Sequence, residues 1–416
     1  MTSTRIDANL SSIHPFQRDL NDELEEPPGT HPLAATVTST ELGRAAPRMD
    51  SAAPHPAGVP GPRTRSRARA RPTSRPAERG RRARVDLSRA RVLVVYDLAL
   101  GLERGRPEDI LADETVEAVA CGIAEALQPQ VAEVRLVPVW DDLLGALRPY
   151  SPSEWAVFNL CESLGGRAFT EALVPRDLSR LGFRHTGSSH ATLRLSTDKA
   201  KTKCLARSLG LMTPRFRVFR TGEERPVRLK FPLIVKPVAE GGSFGVRGDS
   251  VARDPAELWP KIENCLQTYR QPALVEEFIV GREINVALWG NGRPQVLPIS
   301  EINFEWTDDP LQKIVSFDSK WVKTSPEYSG TPARCPAKLT ARERNRIEAA
   351  AISMYSAVNV HGYARVDMRL RDGQPYVLEI NANPDLSFDA GFYRSASAAG
   401  YSYSGMLAEI LRLSLM

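Results

Sequence analysis

Apolar positions along the chain keep one of two periods, and the order in which the periods alternate predicts the fold. Residues 91–96 read as a buried strand, 107–127 as a helix, 133–139 and 155–160 as strands, and 168–181 as a helix stopped at Gly182. Strands alternating with helices predict a parallel α/β sheet, closing near His190. A helix over 198–209, ended by Gly210 and Pro214, leads into a second α/β unit with strands 215–220, 233–238 and 274–279, a glycine loop, and a helix over 255–268. Beyond it the pattern turns antiparallel, with strands 283–289 and 295–304 and a hairpin near the C-terminus, covered by helices 341–357 and 403–415. The chain thus divides into an N-terminal extension (1–88), a parallel α/β domain (89–190), a central lobe (191–280) and a C-terminal sheet lobe (281–416), a mixed α/β and α+β class.

Charge changes the picture mainly at the N-terminus. Between Arg63 and Arg84 stand ten arginines and one acid, Glu78, and such a segment cannot bury enough apolar surface to fold. We read 1–88 as a disordered, solvated tail. An arginine run can hold nucleic acid electrostatically, but no aromatic residue interleaves this one, which disfavours an RNA or DNA partner. No apolar run reaches membrane-spanning length, and Arg81-Arg82 lies too far from Met1, without an apolar region, to be an export signal. Five cysteines, an odd number with no Cys-x-x-Cys pair, predict a reducing, cytoplasmic setting and no structural metal. Arginines number 45 against ten lysines, so the lysines retained at Lys199, Lys236 and Lys320 beside candidate motifs are informative; Lys201, Lys203, Lys230 and Lys338 read as surface residues.

The densest candidate chemistry lies in the C-terminal hairpin, where Arg365, Asp367 and Arg369 precede Asp372-Gly373, and Glu379 and Asn381 follow it. A strand period of two puts Glu379 and Asn381 on one face, and Arg365, Asp367 and Arg369 likewise. A three-residue connection, Asp372 to Gln374, pairs Arg371 with Pro375 and brings Asp367 opposite Glu379 and Arg365 opposite Asn381; a two-residue loop is expected to put Asp367 on the wrong side. Two carboxylates and an amide carbonyl are hard oxygen donors that suit Mg²⁺, not zinc. Glu379 lies within Val377-Leu378-Glu379-Ile380, where a carboxylate is costly without a cation.

A second group precedes it. The strand ending Val235-Lys236-Pro237 runs into Glu240-Gly241-Gly242-Ser243-Phe244-Gly245, whose glycines let backbone N–H groups approach phosphate and whose Ser243 adds a hydroxyl. This is neither a Walker A loop nor a dinucleotide fingerprint. Glu276-Glu277-Phe278-Ile279 offers a backbone edge for adenine, and Glu283 an acceptor for ribose hydroxyls; taken alone, the glycine loop is equally a plain glycine hairpin and these acids are ordinary surface acids.

The order Asp198-Lys199, Lys236-Pro237, glycine loop, Glu276 to Ile279, Glu283, Lys320, Asp367, Glu379-x-Asn381 resembles the ATP-grasp superfamily, in its D-alanine–D-alanine ligase-like branch, over about residues 150–416 and more loosely over 90–150. The resemblance implies an ATP-grasp fold with ATP held between two lobes. It implies that Lys199 and Lys236 meet ATP phosphates, that Glu276, Glu277, Phe278 and Ile279 frame adenine, and that Glu283 binds ribose. Lys320 would serve the γ-phosphate, Arg365 the acyl phosphate and oxyanion, and Asp367, Glu379 and Asn381 two Mg²⁺ ions, with Mn²⁺ as an alternative. The implied reaction joins a carboxylate and an amine, amino acids or short peptides, through an acyl phosphate, with Ser243 in the closing loop; the implied assembly is a homodimer through the first domain. The same fold making another bond, by ring closure or thioester formation, is the nearest alternative, and a nucleic-acid binder with a vestigial ATP site the more distant one.

Five departures from the branch bear on substrate. The early glycine-rich loop with its glutamate is replaced by 97–103; a serine of the branch aligns with Gly242; the tyrosine beside the lysine aligns with Trp321. Pro-Gly after the metal amide becomes Pro384-Asp385, and the serine for the second substrate's carboxylate is replaced near Ala390. Asp385 either receives a cationic amine or caps a helix starting near Phe388. His190, His361 and Cys161 read as structural.

Overall fold

The computed structural model describes residues 85–101, 103–113, 115–224 and 228–416, so the reading of the arginine-rich run lies outside the described residues. Four parallel strands, β1 (Arg91–Asp97), β2 (Glu133–Val139), β3 (Trp155–Asn159) and β4 (Arg184–His185), form a sheet in the order β2-β1-β3-β4. β1 is apolar at successive positions because both of its faces are covered. Val92 and Val94 pack with helices Val116–Leu127 and Tyr403–Leu415, and Leu93 and Val95 with Leu143–Leu147 and Leu173–Leu181. Each such side chain contributes roughly 1.5–3 kcal/mol on burial.

Two helices of this region differ from expectation. The segment 107–127 breaks into a 3₁₀ turn (Pro107–Asp109), a short helix (Ile110–Asp113) and Val116–Leu127, and Asp109 in the first of these turns inward to the buried Arg247. The helix expected from 168 begins at Leu173; Phe169 takes a positive φ of 63° and Thr170 Oγ1 donates to the Arg167 carbonyl at 2.7 Å, which closes a turn instead. Its end at Gly182, φ 84°, is where a left-handed residue is required.

The central sheet is antiparallel: β5 (Phe216–Phe219), β6 (Leu233–Pro237), β7 (Val251–Ala252) and β8 (Ala273–Glu277) in the order β5-β8-β6-β7. Helix Pro255–Tyr269 seals it through Leu258, Ile262 and Cys265 against Phe219, Leu233 and Val235.

The last sheet orders β12-β11-β9-β13-β14, from β9 (Arg282–Trp289), β11 (Ser300–Ile302), β12 (Ala333–Arg334), β13 (Tyr363–Arg371) and β14 (Gln374–Asn381), with β10 (Gln295–Val296) paired to β9. The single strand expected over 295–304 is two, interrupted at Pro298, which has no N–H to donate. Helix Ala341–Ala357 starts at a Thr340–Glu343 capping box and buries Ile347, Ala351 and Met354 on this sheet.

The hairpin reaches its expected pairing by a different route. Arg371 pairs with Gln374, leaving a two-residue turn in which Asp372 and Gly373 both have positive φ, 53° and 68°. A shift between Asp367 and Met368 then places Leu378 as an extra residue, and Asp367 still faces Glu379 and Arg365 still faces Asn381. The three-residue loop is therefore corrected: an Asp-Gly turn matches strand twist better, and a bulge absorbs the one-residue slip.

Candidate active site

The central and C-terminal sheets line a cavity of about 600 Å³ that contains every residue singled out above for nucleotide, metal or catalysis. On its floor, β13 and β14 present Asp367, Glu379 and Asn381 together. Arg365 grips Asp367 with two hydrogen bonds, 2.8 and 2.7 Å, and Asn381 Nδ2 donates to Asp367 at 3.1 Å. A residue missed by sequence reasoning, Asn285 on β9, also donates to Asp367, at 2.7 Å. It lies two positions after Glu283 on the same face of the strand, so the period of two carried its signal.

Glu379 is surrounded by cations from four elements. Burial pushes its carboxyl up, but Lys199, Lys236, Lys320 and Arg365 overcome this and hold it at about 2. Lys199 Nζ lies 3.7 Å from Glu379 and also donates to the Glu240 carbonyl. Burial and the neighbouring Arg365 depress Lys320, on helix Phe317–Trp321. Donors on this floor are oxygen and amide only; among the described residues no group of three or more His, Cys, Asp or Glu is arranged to hold a metal.

The far wall places the remaining candidates. Glu276 points inward and joins Lys236 at 2.7 Å; Glu277 accepts the Lys230 backbone N–H at 3.0 Å; Phe278 and Ile279 are buried in the wall. Glu283 is ion-paired with Arg369, directly across the strand pair, and Arg369 stacks 5.2 Å over Phe278. Lys203 is corrected: it is no surface residue but 2% exposed, with Nζ 2.6 Å from Glu276.

The glycine loop is zipped to the segment bearing Lys320. Ser243, at a φ of 66°, donates its hydroxyl to the Val315 carbonyl at 2.9 Å, Phe317 N–H donates to Val246 at 2.7 Å, and Trp321 Nε1 donates to the Gly242 carbonyl at 2.8 Å. Gly242 and Trp321, two of the departures noted in the sequence, are thus bonded to each other. Asp385 does not cap a helix: its carboxylate accepts Ser387 N–H at 2.8 Å and Oγ at 3.0 Å, and the next helix begins at Gly391. His190 hydrogen-bonds the Ala172 carbonyl at 2.7 Å, and burial pushes the Cys161 thiol well up within the core.

The fold and this cavity define the class, an ATP-grasp ligase that forms carbon–nitrogen bonds. The family model described as D-ala D-ala ligase C-terminus matches residues 205–412. The D-alanine–D-alanine ligase of Janthinobacterium sp. (strain Marseille) is 30% identical over 283 residues, covering 64% of this chain and 84% of that protein. The uncharacterized protein y4sG of Sinorhizobium fredii is 36% identical over 301 residues, covering 70% and 86%. A crystal structure of D-alanine–D-alanine ligase from Bacillus anthracis complexed with ATP superposes with a TM-score of 0.61 at 24% identity, covering 78% of this chain and 97% of that one. The chain belongs to the D-alanine–D-alanine ligase-like branch of the ATP-grasp ligases. Among the described residues no helix is long and apolar enough to cross a membrane.

Proposed function

We propose that the chain joins a carboxylate to an amine through an acyl phosphate at the expense of ATP, on a substrate pair other than two D-alanines. The observation that carries this reading is the ring of Lys199, Lys236, Lys320 and Arg365 around Glu379 in one cavity. Negative charge spread over a transferring phosphoryl group is stabilised by such pre-placed cations. Lys199 and Lys236 would hold the triphosphate, the backbone edge of 276–279 the adenine and Glu283 the ribose, while Lys320 and Arg365 face the transferred group. Asp367, Glu379 and Asn381 fit Mg²⁺ by donor chemistry, and the ion would supply further neutralisation of the triphosphate. Ser243 ties the loop down over the acyl phosphate, which water would otherwise hydrolyse. The extents of the three sheets support assigning 89–190, 191–280 and 281–416 as the catalytic units.

The substrate end supports a different amine. Glu162, Asp385 and Asp389 line it, a set that favours a cationic partner over one with a free carboxylate. Phosphate release measured across paired D- and L-amino acids, neutral and basic, tests this. Turnover with a basic amine, abolished in Glu379→Gln, is expected; unchanged turnover in Glu379→Gln would sink the metal assignment, and a sole preference for paired D-alanine would sink the substrate reading.

A further inference from the structure

We propose that Lys203, which does not line the cavity, is a positioning residue that makes Lys236 available to nucleotide phosphate. The inference rests on the reading that Lys236 meets ATP. Lys203 lies on helix Lys199–Ser208, its Nζ 2.6 Å from one Glu276 oxygen and 3.3 Å from Thr213 Oγ1. Thr213 donates in turn to the Val377 carbonyl at 2.7 Å, on the strand that carries Glu379. The other Glu276 oxygen is 2.7 Å from Lys236 Nζ, and Glu276 itself is 1% exposed.

Two ammonium groups therefore share one buried carboxylate, and only one of the two faces the cavity. A buried carboxylate with a single counter-ion holds it tightly, since low local polarity strengthens the attraction. Lys203 takes up one oxygen and half of that pull. The triad then carries one net positive charge, presented at Lys236, and Glu276 fixes where that ammonium points. Removing Lys203 leaves Lys236 fully neutralised by Glu276 and withdrawn from phosphate.

Equilibrium binding of a non-hydrolysable ATP analogue and of adenosine, each with Mg²⁺, tests the inference in wild type, Lys203→Met and Lys203→Met/Glu276→Gln. Lys203→Met is expected to weaken the analogue by about tenfold, the scale of one charge-assisted contact, with adenosine unaffected. Adding Glu276→Gln frees Lys236 and is expected to recover most of the loss. Unchanged analogue affinity in Lys203→Met, equal losses for analogue and adenosine, or a double variant no better than the single one would each overturn the proposal. If the single variant does not fold, a double variant that folds and binds the analogue supports it, and one that folds without binding overturns it. Wild-type protein that binds neither compound overturns the ATP reading itself, and this inference with it.

Discussion

Asp109 and Arg247 form a buried ion pair at 2.8 Å that joins the segment after β1 to the end of the glycine loop. Asp109 is completely buried and also accepts from Tyr269 at 3.1 Å and the Arg106 backbone N–H at 2.8 Å. Arg247 reaches Asp318 at 2.8 Å with its other arm and stacks 4.2 Å over Phe317, on the helix of Lys320. Arg247→Met strands both acids, one in full burial, and is expected to cost about 3–5 kcal/mol of stability. Urea unfolding with an unchanged m-value measures it; a loss under about 1 kcal/mol would mean that the pair is not what anchors the loop.

Glu276 makes stability depend on acid pH. Burial raises its carboxyl, but Lys203 and Lys236 outweigh this and hold it at about 2, below the ordinary 4.5. A carboxyl depressed in the folded state stabilises above its unfolded pKa and loses that contribution as pH falls through the folded one. A term on the order of 3 kcal/mol is thus present above about pH 4.5 and lost towards pH 2. Unfolding midpoints of wild type are expected to fall more steeply between pH 5 and 3 than those of Lys203→Met/Glu276→Gln.

What the sequence made legible and what it hid divide by the range of the interaction. Helices 341–357 and 403–415 have the expected bounds because Thr340–Glu343 and Ser402 cap them locally. The face shared by Asp367 and Glu379 was legible, but the turn was not, since a bulge at Leu378 compensates a shorter loop and leaves no mark in the period. Lys203 stands four residues after Lys199 on one helix face, a spacing that carried the signal; its burial depends on Glu276, on a strand far along the chain. Asp109 and Arg247 are 138 residues apart, and nothing local distinguishes them from other charged residues.

Glu171 has the opposite pH sign. Burial pushes its carboxyl up to about 7, against hydrogen bonds from Asn383 and Thr197. Its ionised form is disfavoured in the fold, so stability is whole below about pH 4.5 and falls as pH rises to 7, by on the order of 3 kcal/mol. Glu171→Gln is expected to raise the melting temperature at pH 8 while changing little at pH 4. Equal shifts at both values would assign the effect to packing rather than charge.

Trp321 and the Gly242 carbonyl close the loop over the cavity through a 2.8 Å hydrogen bond. Gly242 has a φ of 57°, and a Cβ there would lie 3.2 Å from the Phe244 ring, so the loop is tightly shaped at this point and the indole is its outer tie. Trp321→Phe keeps most of the ring but removes the donor. Loss of about 1 kcal/mol shifts loop opening roughly fivefold, which admits water to the acyl phosphate without touching Lys320 or Arg365. ADP release is therefore expected to persist while amide yield per ADP falls, a ratio read by assaying both products in the same reaction. A parallel fall in ADP and amide would place Trp321 in positioning Lys320 and not in excluding water.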